Sequence, residues 1–364
     1  MQVLQTTLLT GPYDWDPKLL PQAEFEARLS RVRAAMDEAG ADALLVHGIP
    51  GDYGALAYLT NFVPKLGLAV ALVPKEGAIR LIVSGTALML TQAKLLTWVE
   101  DLRPAADVPK LVAGWFAEQH GTRLALWGAR DMAHGLHRGI LAALGKEPLV
   151  LDAPLDALRR RKSPIELGLM RESARILARA ADAFAAAARG GKGARTVALA
   201  FERAAVASGA QDARTLVSAH AGGAPLPIDG PEDPAVDPLL AALAVQYAGY
   251  WAEGLLTVTA KPGEGLAKTR AAVAAMVRAA HPGATAASLH RAAAGELGSL
   301  APNPYLGAAA GSAIGLSLEE GRLTADAALE EGATYVLRAG TNDALASALI
   351  AVGAKEAQIL WSSP

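Results

Sequence analysis

The sequence predicts two domains in tandem: an α/β first half, in which helices and strands alternate, and an α+β second half with antiparallel strands. Three observations carry this. A chain of 364 residues is longer than one hydrophobic core usually serves. Apolar spacing switches repeatedly between helical and strand patterns over the first 150 residues. A basic, proline-containing run, Arg159-Arg160-Arg161-Lys162-Ser163-Pro164-Ile165-Glu166, then breaks the pattern and opens a long helix. The domains are accordingly placed at residues 1–158 and 159–364.

Each element has a local reason. Phe25, Leu29, Val32 and Met36 recur at helical spacing, and Gly40 closes that helix. Ala43-Leu44-Leu45-Val46 is too short for a helix and lies between Gly40 and Gly48, so it reads as a buried strand. Residues 68–73 and 79–83, joined by Pro74-Lys75-Glu76-Gly77, read as a hairpin. Leu124-Ala125-Leu126-Trp127 and Leu149-Val150-Leu151 add strands with helices between them. Ser163 is placed to cap a helix from Pro164 to about Ala188, which the glycines Gly190, Gly191 and Gly193 end. The four cations before it are read as a solvated linker. A helix over 197–208, strands at 240–245 and 255–258 and an alanine-rich helix over 268–280 complete the second half.

Composition narrows the function. Net charge is −2, with both signs mixed along the chain, so no footprint for nucleic acid or an anionic membrane surface exists. The absence of cysteine removes disulfides, thiolate metal sites and a cysteine nucleophile. Residues 1–17 lack the basic start and apolar core of a secretory leader, and no segment has about 18 uninterrupted apolar residues. A cytoplasmic protein is expected.

Several segments, in order over nearly the whole chain, resemble the creatinase/aminopeptidase P/prolidase superfamily, the pita-bread enzymes. Gly311-Ser312-Ala313-Ile314-Gly315-Leu316-Ser317-Leu318-Glu319-Glu320 is similar to its Gly-His-x-Ile-Gly-Leu-x-x-His-Glu signature. Ala57 to Phe62, including Tyr58 and Asn61, resembles a Tyr-Leu-Thr-Gly-Phe segment of the N-terminal domain, and 161–166 resembles Arg-x-Lys-Ser-Pro-x-Glu. Gly249-Tyr250 and His281-Pro282-Gly283 match two further turns. The resemblance implies a creatinase-type, ribonuclease H-like N-terminal domain and a pita-bread C-terminal domain.

It also implies five positions at which active members hold two metal ions with carboxylates and a histidine. In this chain those positions carry Ala242, Glu253, Ser312, Arg338 and a residue near Ala346. One potential ligand remains, and a guanidinium would repel the ions. No metal and no cofactor are therefore expected, and the peptidase reading fails at the residues. The histidine base that creatinase-like chemistry would require falls on Leu226, leaving His220 as the nearby substitute.

Remaining constellations point to a pocket. Glu253, Glu319 and Glu320 together either bind a cation or pair with Arg338, and the pairing is the expected arrangement. Tyr250 and Trp251, with Ser312, line the same pocket in one reading and pack a core in the other. His220 or Glu253 would move a proton in a metal-independent hydrolase or lyase, with Arg338 holding a carboxylate. Gly307 to Ser312 lacks the lysine of a phosphate loop. By the resemblance, Asp52, Tyr53, Tyr58 and Asn61 are candidates to complete a partner's site; an ordinary surface turn is the plainer reading. The leading expectation is a degenerate member acting as a structural or regulatory subunit, in a homodimer or with an active paralogue. The alternatives are a metal-independent enzyme or small-molecule binder and, last, a residual metallopeptidase using the glutamates.

Overall fold

The computed structural model describes residues 14–364 except 219, 221–222, 229–235, 304–305 and 307–310. The expectations for the extreme N-terminus and for most of the Gly307 to Ser312 stretch lie outside the described residues. The chain divides into two compact units, Met1–Arg159 and Arg160–Pro364.

In the first unit the elements run α1 (Gln22–Glu38), β1 (Ala43–Gly48), α2 (Gly54–Thr60), β2 (Ala69–Pro74), β3 (Arg80–Val83), α3 (Ala87–Ala93) and β4 (Asp101–Pro104). They continue with α4 (Val108–Glu118), β5 (Leu124–Trp127), α5 (His134–Leu144), β6 (Leu149–Val150) and α6 (Asp152–Arg160). One mixed sheet has the order β4-β3-β2-β1-β5-β6. The hairpin β2/β3 is antiparallel, with Ala69 opposite Val83, while β1 pairs in parallel with β5. Every residue of β1 is buried, because Leu45, Val70, Leu72 and Leu126 pack with Val112, Trp115, Phe116 and Ile140 of α4 and α5 while Leu44 and Val46 are buried on the opposite face.

The second unit has α7 (Pro164–Arg189), α8 (Ala194–Ala207), β7 (Asp212–Ser218), β8 (Pro225–Leu226), β9 (Leu239–Tyr247) and β10 (Tyr250–Val258). Then follow α9 (Glu264–Ala279), α10 (Ala286–Leu297), β11 (Gly311–Ala313), β12 (Gly321–Arg322), β13 (Thr334–Thr341), β14 (Ala344–Val352) and β15 (Ala357–Ser362). Two sheets form, β10-β9-β7-β8 and β12-β11-β13-β14-β15. They meet where β10 lies beside β14: Leu255 N donates to Ser347 Oγ at 2.7 Å and Leu345 N to Thr257 Oγ1 at 2.7 Å. Helices α9 and α10 cover one face of the second sheet through Val273, Met276 and Leu289 against Tyr335, Leu337, Ala346 and Ala348. Alternation along β13 and β14 turns Arg338, Leu345 and Ser347 to the opposite face.

The basic run before α7 is not a solvated linker. Arg160 and Arg161 both reach Glu330, at 3.0 and 3.3 Å, and Lys162 is buried with its Nζ 2.5 Å from Glu320. An apolar stem and a satisfied head group let a lysine stay inside. Ser163 does cap α7: its Oγ accepts from Glu166 N, and the Glu166 carboxylate accepts from Ser163 N at 2.9 Å.

Candidate functional site

The inner faces of the two sheets line an open cavity of about 550 Å3. Strands β9 and β10 supply Ala242, Glu253 and Leu255; β11 supplies Ser312; β13 and β14 supply Arg338 and Leu345. Arg338 is the centre of its polar floor. Its Nε donates to Glu253 Oε1 at 2.8 Å and its Nη2 to Glu253 Oε2 at 2.7 Å, a side-on fork. Nη2 also donates to Ser312 Oγ at 3.0 Å. Ser312 is buried, and the arginine and glutamate side chains are 18% and 15% exposed, so the pair is shielded enough for its charges to matter.

Glycine keeps this floor in place. At Gly311 a Cβ would lie 1.9 Å from the Val336 carbonyl oxygen, so β11 reaches β13 only because the side chain is absent. At Gly315 a Cβ would lie 2.6 Å from Lys162 Nζ and 2.7 Å from Glu320 Oε1. The glycine frame read in the sequence is thus required by backbone packing and by a buried ion pair, with no contribution from a histidine between the glycines.

The expected pairing of three glutamates with Arg338 needs correction. Glu253 makes it. Glu320 is instead held by Lys162 and accepts from Leu316 N at 2.9 Å, closing the turn after Gly315. Glu319 pairs with Arg322 at 3.0 Å on the exposed rim, three residues away. Of the pocket candidates, Ser312, Glu319 and Arg338 line the cavity; Tyr250, Trp251 and Glu320 are not among its described lining residues. Tyr250 lies on the far face of β10, where its hydroxyl donates to Glu166 Oε1 at 2.9 Å. Trp251 shares the face of Glu253 but is buried beneath Arg214, whose guanidinium carbon stands 4.6 Å from its ring centroid. His220 is exposed, does not line the cavity and accepts from Gly223 N through its carbonyl oxygen.

Sequence reasoning passed over Asn303, Arg322 and Leu345 in the lining. The spacing of Glu319 and Arg322 was a usable signal, since opposite charges three apart often pair. Asn303 offered none: it is held by Thr341 and Gly340 carbonyls, far along the chain. The resemblance puts the fifth position near Ala346, yet that side chain faces α9 and α10; the opposite face of β14 carries Leu345 and Ser347, neither a carboxylate.

The four partner-site candidates all lie in the first unit. Asp52 closes a turn with Ile49 through paired backbone bonds of 2.9 and 3.0 Å. Burial, then a hydrogen bond shared with Asp131, pushes its carboxyl up to about 6, against the pull of Arg159. Asp52 is therefore half-buried in a carboxylate pair, unlike an ordinary surface turn residue. Tyr53 is half-buried at the start of α2. Tyr58 is fully buried, with Arg28 stacked 4.9 Å from its ring centroid and Trp127 edge-on at 5.9 Å. Asn61 ends α2 with φ of 61° and donates to the Leu96 carbonyl at 3.1 Å. Tyr58 and Asn61 are thus fixed inside their own unit.

Among the described residues, no group of three or more His, Cys, Asp or Glu side chains is arranged to hold a metal ion. None of the helices there is long and apolar enough to cross a membrane.

Comparison with known proteins gives a consistent picture. Residues 168–354 match the profile of metallopeptidase family M24, and residues 28–160 match that of the creatinase/prolidase N-terminal domain. The fold is similar to an Xaa-Pro dipeptidase from Bacillus anthracis at 19% identity, with a TM-score of 0.77, covering 93% of this chain and 98% of that one. A dipeptidase PepE from Mycobacterium ulcerans is similar at 22% identity and a TM-score of 0.76, over 94% and 96% of the two chains. The N-terminal domain of FACT complex subunit SPT16 from Cicer arietinum (chickpea) also shares the fold, at 14% identity and a TM-score of 0.66, over 93% and 96%. No curated protein matches the sequence.

Proposed function

This chain belongs to metallopeptidase family M24, with a creatinase/prolidase N-terminal domain, and we propose that it is a non-peptidase member serving as a structural or regulatory subunit. One observation carries the reading: where the resemblance puts metal ligands, Arg338 grips Glu253 through two nitrogens and Ser312 through one. A pair of divalent cations needs several anionic oxygens around it. Here the remaining carboxylate is neutralised by a fixed cation, and Ala242 and Leu345 offer no donor. The donor set does not fit the metal pair.

The role assigned is that of a cytoplasmic partner, in a dimer with itself or with an active paralogue. The chickpea SPT16 domain, part of a complex subunit, makes the fold compatible with such a role. A second reading has a specific observation behind it: the cavity is open, which favours a ligand-binding function over a filled scaffold. A metal-independent enzyme draws less support, because His220 stands outside the lining and both Glu253 oxygens accept from Arg338.

The deciding experiment loads the purified protein with Mn2+ or Co2+, removes excess ion, and measures bound metal together with hydrolysis of Xaa-Pro dipeptides. Well under one ion per chain and no turnover above blank are expected. About two ions per chain with turnover would overturn the reading. For the subunit role, co-purification from the native cell should recover a dimer or a related chain; a lone monomer counts against it.

A further inference from the structure

The ion pair does not exhaust the cavity's chemistry. Arg338 directs its Nε and Nη2 hydrogens to Glu253 and Ser312, and its Nη1, with two N–H donors, makes no hydrogen bond to the described residues. Ser312 is 1% exposed and accepts from Arg338, so its own hydroxyl hydrogen is also available on the cavity side. At the rim Arg322 meets Glu319 through Nε, leaving further donors. The open capacity is therefore mainly donor capacity.

Charge sets the class of ligand more narrowly. Arg338 with Glu253, and Arg322 with Glu319, cancel in pairs. An ammonium group finds no uncommitted carboxylate, and a multiply charged phosphate finds no net positive charge to balance it. A single carboxylate fits, because it accepts from Nη1 and from the Ser312 hydroxyl together. Beside those donors stand Ala242, Leu255, Leu306 and Leu345, an apolar wall, and about 550 Å3 is a normal size for a small-molecule pocket.

Resting on the non-peptidase reading above, we infer that the cavity binds a small organic monocarboxylate with a branched aliphatic body. The carboxylate bridges Arg338 Nη1 and Ser312 Oγ, and the body lies against Leu255, Leu306 and Leu345.

Isothermal titration of metal-free protein with sodium 4-methylpentanoate, 4-methylpentanamide and 4-methylpentylammonium tests this. The carboxylate is expected to bind saturably with a Kd below about 1 mM, and the amide at least about tenfold more weakly, having lost the charge-assisted bonds. Ser312→Ala should weaken the carboxylate about fivefold and leave the amide unchanged. Arg338→Gln alone strands Glu253, so the double variant E253Q/R338Q, checked for folding by circular dichroism, is the second probe; it should lose the preference for carboxylate. Equal affinities for carboxylate and amide, no saturable binding, or a preference retained in the double variant would each overturn the inference. Repeating the titration with Mn2+ separates the two ideas. Carboxylate binding that appears only with Mn2+ overturns the non-peptidase reading, whereas no binding in either condition overturns the ligand class alone.

Discussion

At the scale of single residues, the contrast between two ion pairs is instructive. Arg338 and Glu253 sit on facing strands of different sheets and are shielded but not sealed, whereas the Lys162 and Glu320 side chains are 1% and 0% exposed. Removing one partner of a buried pair leaves the other uncompensated, which costs more than the pair contributes. Lys162→Met should therefore lower unfolding free energy by about 3–5 kcal/mol in urea titrations. K162M/E320Q should recover about half of that loss, since a neutral amide still accepts from Leu316 N without a buried charge. For the cavity pair, Arg338→Ala should cost about 2–3 kcal/mol, less than Lys162→Met because water still reaches Glu253. If the double variant is no better than K162M, the stranded carboxylate is not the cause. Glu320 also shows what sequence could not convey: adjacent glutamates point to different partners because the chain turns between them, and Lys162 is 158 residues away.

At the scale of elements, the start of α7 joins capping to packing. Ser163 and Glu166 satisfy each other's backbone donors, and Glu166 also receives the Tyr250 hydroxyl from β10. Ser163→Ala should cost about 1 kcal/mol, the usual loss of a helix cap, whereas Glu166→Ala should cost more because it also removes an acceptor of the buried Tyr250 hydroxyl. The turn after β1 supplies a pH test. Asp52 is raised from 3.8 to about 6 in the folded state, so the folded protein binds the proton more tightly than the unfolded chain. The associated stability is fully present below pH 3.8 and is lost as pH rises through about 6. Melting temperatures of Asp52→Asn and the parent, compared across this window, should converge at its acidic end and separate in favour of the variant at the other. A constant difference would refute the assignment. The first half was legible at this scale because β1, the β2/β3 hairpin and α1 carry short-range signals: glycine bounds, a turn and a helical stripe. Strands β13 and β14 were missed since Ala344–Val352 is buried at every position and alanine-rich, so neither alternation nor propensity marks it as a strand.

At the scale of the whole molecule, the frame and the site follow different constraints. Gly311 and Gly315 are tied to the approach of β11 to β13 and to the Lys162 pair, so the fold retains them whatever chemistry the cavity performs. The identities of Ala242, Ser312 and Arg338 have no such tie, and they are positions at which the resemblance implies metal ligands. That separation made the fold readable from glycines and the cavity floor readable from Arg338, while the buried Asn303 in its lining depended on contacts far along the chain. It also yields a measurement on the intact chain. A ligand that binds only the folded state at 100 times its Kd stabilises it by about 2.7 kcal/mol. For a unit of this size each kcal/mol moves the melting temperature by about 2–4 °C. An intact metal pair with a Kd of about 10 μM would therefore raise it by at least about 5 °C in 1 mM Mn2+. The Arg338 to Glu253 fork predicts no rise, because Mn2+ would have to displace a guanidinium already making two charge-assisted bonds. R338E should create the response that the parent lacks: it replaces the repelling cation by a carboxylate facing Glu253, so the variant should be less stable than the parent without metal and should gain stability as Mn2+ is added. A parent stabilised by Mn2+ to the same degree as R338E would show that the fork does not exclude the ion.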